Sequence, residues 1–145
     1  KPLFNPDSST SRDIVLFHRF PEPPLKRGEV VFLKSPTDPN VLLVKRVIAL
    51  EGDTVQPLPR YPEPLVRVPP FHVWVEGDEP RGRDSNSFGP VSMALIQGRA
   101  VGIVWPLSRF GSLPVGADTG DPWSIPSRLA ARERSRATRV VRSDA

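Results

Sequence analysis

Apolar residues in this chain fall in short runs, each closed by proline, glycine or aspartate, and within most runs they alternate with a period of two. Residues 13–20 read as a strand around Ile14, Val15, Leu16 and Phe17, stopped by Pro21, Pro23 and Pro24. Lys26, Arg27, Gly28 and Glu29 make a turn that launches Val30, Val31, Phe32 and Leu33. A second turn, rich in Pro36, Asp38, Pro39 and Asn40, returns the chain into residues 41–50. Beyond the turn Glu51-Gly52-Asp53 come Thr54 and Val55, then a proline-rich connection through Pro70. Residues 71–76 alternate, with Val73 and Val75 on one face and His72 and Trp74 on the other. Residues 84–89 are polar and sharply turning, and residues 101–105 supply a last strand before Pro106. The pattern predicts a mostly β fold of antiparallel sheets folded over one another. Residues 125–137 contain good helix formers but little apolar face, so the basic C-terminal tail is expected to be either a marginal helix or disordered. No internal repeat is visible.

Composition sharpens this picture. Nineteen prolines and ten glycines spread over 145 residues exclude long helices from most of the chain. The absence of cysteine removes disulfides, thiolate nucleophiles and cysteine-bound metals. The two histidines, His18 and His72, have no partner at ligand spacing, so neither a metal nor another cofactor is expected. The net charge of +4 is concentrated at the end, where Arg128, Arg132, Arg134, Arg136, Arg139 and Arg142 face only Glu133 and Asp144. No aromatic residue is interleaved with these arginines for base stacking, so no nucleic-acid partner is expected and the tail reads as a solvated terminus. No apolar run approaches the roughly 20 residues that span a bilayer.

The residue that carries chemistry is Lys45. In a strand over residues 41–50 it shares a face with Val41, Leu43, Val47 and Ala49, and Arg46 falls on the other face. Burial disfavours the charged form of a lysine, and a neutral amine can take a proton from a hydroxyl. The competing reading is a pair of solvated cations at a sheet rim.

Four segments in order carry a resemblance: Lys1-Pro2-Leu3-Phe4-Asn5-Pro6, Arg27-Gly28-Glu29-Val30-Val31, Lys45-Arg46-Val47-Ile48-Ala49-Leu50-Glu51-Gly52-Asp53, and Gly77-Asp78 with Asp84-Ser85-Asn86-Ser87-Phe88-Gly89-Pro90-Val91. Together they resemble the type I signal peptidase family. Ala49-Leu50-Glu51-Gly52-Asp53 and Asp84-Ser85-Asn86 look most like the second-subunit branch of its mitochondrial inner membrane proteases. The resemblance implies a signal-peptidase-like β domain and a Ser-Lys dyad in which Lys45 is the general base, with Asp84, Ser85 and Asn86 ordering the loop beside it. In sister proteins an arginine stands where this chain has Asn86, so a hydrogen bond is expected in place of an ion pair with Asp84. A serine common in the family two residues before that aspartate is here Gly82.

The family's nucleophile stands in Ser-Met-x-Pro, and Lys1-Pro2 matches only its x-Pro part. The serine is therefore expected just ahead of Lys1, together with an N-terminal membrane anchor, and the chain as given is expected to lack its nucleophile and to be inactive by itself. Ser8, Ser9, Ser11 and Ser35 lack the motif context and read as turn or surface hydroxyls. Two units are expected, a catalytic β domain over residues 1–112 and a linker with an arginine-rich tail over 113–145. The implied function is serine endopeptidase removal of sorting presequences from proteins of the mitochondrial intermembrane space. The implied partners are presequence-bearing polypeptides and a sister subunit at the inner membrane. The alternatives are a non-catalytic scaffold for that sister subunit and a self-cleaving repressor-like Ser-Lys protein.

Overall fold

The computed structural model describes residues 14–19, 24–78, 82–105, 111–112 and 127–144. One sheet dominates. Its strands are β1 (Ile14–His18), β2 (Val30–Lys34), β3 (Leu42–Ala49), β6 (His72–Glu76), β7 (Val91–Ser92) and β8 (Ile96–Trp105), in the spatial order β1-β8-β2-β3-β6-β7, with β9 (Gly111–Ser112) also pairing β8. A small second sheet runs β10-β4-β5, built from β4 (Thr54–Val55), β5 (Val66–Arg67) and β10 (Val140–Val141). All pairings are antiparallel. Helices are short: α1 (Ser85–Phe88), a 3-10 turn (Met93–Leu95) and α2 (Ser127–Thr138). This is the expected mostly β architecture, and the helical alternative for the basic tail is the one that forms.

Turn chemistry sets the register. Gly28, at φ 90°, donates its N–H to the Val47 carbonyl, and Asp38 accepts from the Asn40 backbone to close the β2–β3 hairpin. Val31 then lies directly across from Lys45. The last long strand begins at Ile96 rather than at residue 101, because Gly98 lets the His18 carbonyl come so close that a Cβ would meet it at 2.9 Å.

Two apolar clusters sit on opposite sides of the strand pair β3–β6. One gathers Val31, Leu33, Val47, Val73, Val75, Val91 and Ile96; the other gathers Ile48, Ala49, Val55, Val66, Val68 and Trp74. The period-two division of β6 into Val73 and Val75 against Trp74 is thus observed. That of β3 holds only in part. A bulge between Val47 and Ala49 inserts an extra residue, so Ala49 joins Ile48 in the second cluster instead of sharing the face of Lys45. Val41 lies outside β3 and is exposed.

The arginine-rich end is not a solvated terminus. Arg136 is 4% exposed, and its guanidinium reaches Glu76 through Nε at 3.1 Å, Asp78 and Glu133 through Nη1 at 3.0 Å each, and the Gly77 carbonyl through Nη2 at 2.9 Å. Arg139 Nη2 holds both oxygens of Glu76 at 2.9 Å. Among its described side chains, the helix packs through buried ion pairs against carboxylates that the sheet supplies. Composition reports the arginines but not the acids they meet, which lie some sixty residues away in sequence.

Candidate active site

Lys45 is near the middle of β3, where the strand passes from exposed to buried: Leu42 and Val44 are exposed, while Lys45 and the residues after it in the strand are buried. Its side chain is 9% exposed. Among the described residues it forms no hydrogen bond and no ion pair. Burial pushes its amine below the usual lysine range; the charges of Asp84 and Asp78 pull it back up, and Arg60 pushes it further down. Arg46 points the opposite way, as alternation requires, pairing with Asp78 at 3.0 Å and Glu133 at 3.3 Å and donating to the Gly28 carbonyl at 2.8 Å. The strand thus carries one engaged cation and one unengaged amine on neighbouring residues.

The Asp84-Ser85-Asn86 segment is built into the edge of β6. Strand β7 covers only His72 and Val73, so the next stretch of β6 needs other partners, and side chains provide them. The Val75 N–H donates to Ser85 Oγ at 2.9 Å and the Gly77 N–H donates to Asp84 Oδ2 at 3.1 Å. Asp84 also caps α1, its Oδ1 accepting from the Asn86 backbone at 3.0 Å. Gly89, at φ 79°, ends that helix where a Cβ would lie 2.9 Å from the Tyr61 hydroxyl. Ser85 is fully buried, and its hydroxyl serves the strand backbone.

Asn86 makes the expected hydrogen bond to Asp84, Nδ2 to Oδ1 at 3.3 Å, and also donates to Glu76 Oε1 at 3.1 Å. Its own Oδ1 accepts from the Leu58 N–H at 2.7 Å, pinning the loop between β4 and β5. From that loop Arg60 Nη2 reaches Asp84 Oδ1 at 2.7 Å. The ion pair that position 86 does not make is therefore made from a distant segment. Gly82 is half-buried and contributes no side-chain donor near Lys45.

Other polar anchors surround this centre. Asp53, fully buried, accepts a two-pronged contact from Arg27 at 2.7 and 2.8 Å and backbone N–H bonds from Leu50 and Ser143 at 2.9 Å. Burial raises the Asp53 carboxyl, but Arg27 and the two backbone donors outweigh it and bring its pKa down to about 2. Burial likewise pushes Glu76 up, yet Arg139, Asn86 and Arg136 leave it below the carboxylate range. Arg46 and Arg136 both engage Asp78, and against its burial they hold it ionised. Ser35 is engaged with Thr37, hydroxyl to hydroxyl at 3.1 Å. Lys1-Pro2, Ser8, Ser9 and Ser11 lie outside the described residues.

The sequence singles out Lys45 and the Asp84 segment as candidates but gives no sign of the ion pairs made by Arg60, Glu76, Arg136 and Arg139. Arg60 stands in a proline-rich connector without periodicity, and Glu76 reads as the polar end of a strand. Neither carries a local signal, because each matters only through a partner distant in sequence.

An antiparallel sheet with a buried lysine in β3 and an aspartate-capped turn at the edge of β6 is the arrangement that the resemblance to signal peptidases implies. The chain belongs to that family: the signature described as "Signal peptidase, peptidase S26" matches residues 7–59, and relatives match well beyond them. Within the family it is similar to mitochondrial inner membrane protease subunit 2, being 44% identical over 113 residues to that of Danio rerio and 47% over 115 residues to that of Schizosaccharomyces pombe. These alignments cover 76% and 78% of this chain, which spans 61% and 63% of the length of those relatives. It is also 40% identical over 121 residues to mitochondrial ATP-independent inner membrane protease subunit 1a of Arabidopsis thaliana, covering 77% of this chain and 71% of that one.

Proposed function

We propose that this chain is the catalytic β unit of a Ser-Lys dyad endopeptidase that removes sorting presequences from proteins of the mitochondrial intermembrane space. The observation that carries the proposal is Lys45: a buried residue whose amine has no ion-pair partner among the described residues and is lowered in basicity by its surroundings, on a strand whose other residues, Arg46 apart, are aliphatic. Such an amine gives up its proton more readily than an ordinary lysine, and in its neutral form it can accept a proton from a hydroxyl. A serine from the segment preceding Lys1 attacks the scissile carbonyl as Lys45 takes its proton. The ammonium gives that proton to the leaving amine as the scissile C–N bond breaks, and the acyl-enzyme so formed is hydrolysed by water, whose proton the regenerated neutral amine takes and returns to the serine oxygen. Asp84, Ser85 and Asn86 are supporting residues, fixing the β6 edge and the turn beside the base.

The catalytic unit is residues 1–112, and residues 113–145 form a linker and a basic tail that packs back on it. The enzyme is held at the inner membrane by an N-terminal anchor, faces the intermembrane space and works beside a sister subunit. The subunit names of its relatives support such a partner.

The test is to join the Ser-Met pair and an anchoring segment ahead of Lys1, then assay presequence cleavage with Lys45 intact and with Lys45→Ala. Cleavage by the first and none by the second is expected. Equal cleavage rejects Lys45 as the base. If neither cleaves while the chain still binds and supports an active sister subunit, the scaffold reading replaces this one.

A further inference from the structure

We propose that Arg60 is a positioning residue for this reaction: by holding the Asp84 carboxylate in an ion pair, it keeps that carboxylate from pairing with the Lys45 amine. The inference rests on the reading of Lys45 as the base.

Asp84 is 4% exposed and is oriented by four donors. Its Oδ2 accepts from the Gly77 N–H at 3.1 Å, and its Oδ1 accepts from the Asn86 N–H at 3.0 Å, from Asn86 Nδ2 at 3.3 Å and from Arg60 Nη2 at 2.7 Å. Three of these donors are neutral. Among the described residues, Arg60 alone brings a full positive charge into contact with Asp84, and its bond is the shortest of the four. A lone buried carboxylate beside a lysine stabilises the ammonium form, the wrong form for a general base. An aspartate already neutralised by a guanidinium does so far less, and the guanidinium itself repels a second positive charge.

Arg60 is well placed to act this way. Its loop is pinned by the Leu58 N–H bond to Asn86 Oδ1 at 2.7 Å, by the Tyr61 N–H bond to the Leu58 carbonyl at 2.9 Å, and by the Tyr61 ring set edge-on to Trp74 at 5.4 Å. Among the described residues, the charges that act on Lys45 come from three segments: Asp84 before α1, Asp78 after β6 and Arg60 between β4 and β5. Asp78 is itself held by Arg46 and Arg136, so each acid near the amine has its own arginine. Farther along the strand row, beyond Val31, Arg99 is paired with Glu29 at 3.0 Å.

The experiment compares the pH dependence of cleavage by the anchored, serine-bearing enzyme with Arg60, with Arg60→Met and with Arg60→Lys. In Arg60→Met the acid limb of kcat/KM should move to higher pH while the alkaline plateau is kept; on that limb the rate falls about tenfold for each pH unit of displacement. Arg60→Lys should return the limb toward the parent position. A purely structural role would instead lower the rate at every pH with the limb in place, and that result overturns the proposal. A second measurement needs no turnover. Isotope-labelled lysine NMR on the chain itself should show Lys45 titrating at higher pH in Arg60→Met than in the parent, and an unmoved titration overturns the proposal as well. Should Lys45→Ala still cleave, the dyad reading fails instead, and the NMR comparison still decides whether Arg60 governs the amine.

Discussion

Replacing Asp53 by Asn probes how much of the fold's stability is stored in one buried charge. The carboxylate is fully buried and held by Arg27, Leu50 and Ser143, which bring its pKa from 3.8 to about 2. That difference is worth about 2 kcal/mol of folding free energy at neutral pH. The sign follows from proton binding. Between the two values the unfolded chain holds the proton and the folded chain does not, so stability rises with pH through this window and is complete above about pH 5. Asp53→Asn removes the titration. Urea denaturation of both proteins across a pH series should give a difference near 2 kcal/mol at neutral pH that shrinks steadily below about pH 4 and nearly closes by about pH 2. Taking the difference between proteins cancels Glu76 and Asp78, whose carboxyls are also held below their ordinary values in both. A difference that stays constant down to the lowest pH would refute the assignment of this stability to the Asp53 charge.

Lys45→Met should abolish cleavage in the anchored enzyme while stabilising the fold, because it removes the cost of burying an amine with no ion-pair partner among the described residues. Since the lysine's pKa is lowered in the folded state, this gain is largest at low pH and fades as alkali neutralises the amine; thermal melts at several pH values check it. Ser85→Ala leaves the buried Val75 N–H without an acceptor and should cost about 1–3 kcal/mol in denaturant titrations. Arg136→Met strips Glu76 and Asp78 of a shared guanidinium, though Arg139 and Arg46 remain, and should cost about 3 kcal/mol. Amide exchange should then quicken first in α2 and β10, since these elements are held largely by that network.

Local chemistry by itself determined most of the strand plan and the position of the candidate base. Alternation places Val73 and Val75 opposite Trp74, proline and glycine close each run, and Lys45 stands among aliphatic residues whatever else the chain does. Such facts are legible because the pleat and the turn act within a few residues. Tertiary structure decided everything that needs a distant partner. The bulge at Ile48, which turns Ala49 away from Lys45, depends on register against β6. The burial of Arg136 depends on Glu76 and Asp78, and the ion pair at the Asp84 turn on Arg60, twenty-four residues earlier. Electrostatic pairs form between groups that the fold brings within about 3 Å, and no periodicity along the chain records which ones will meet.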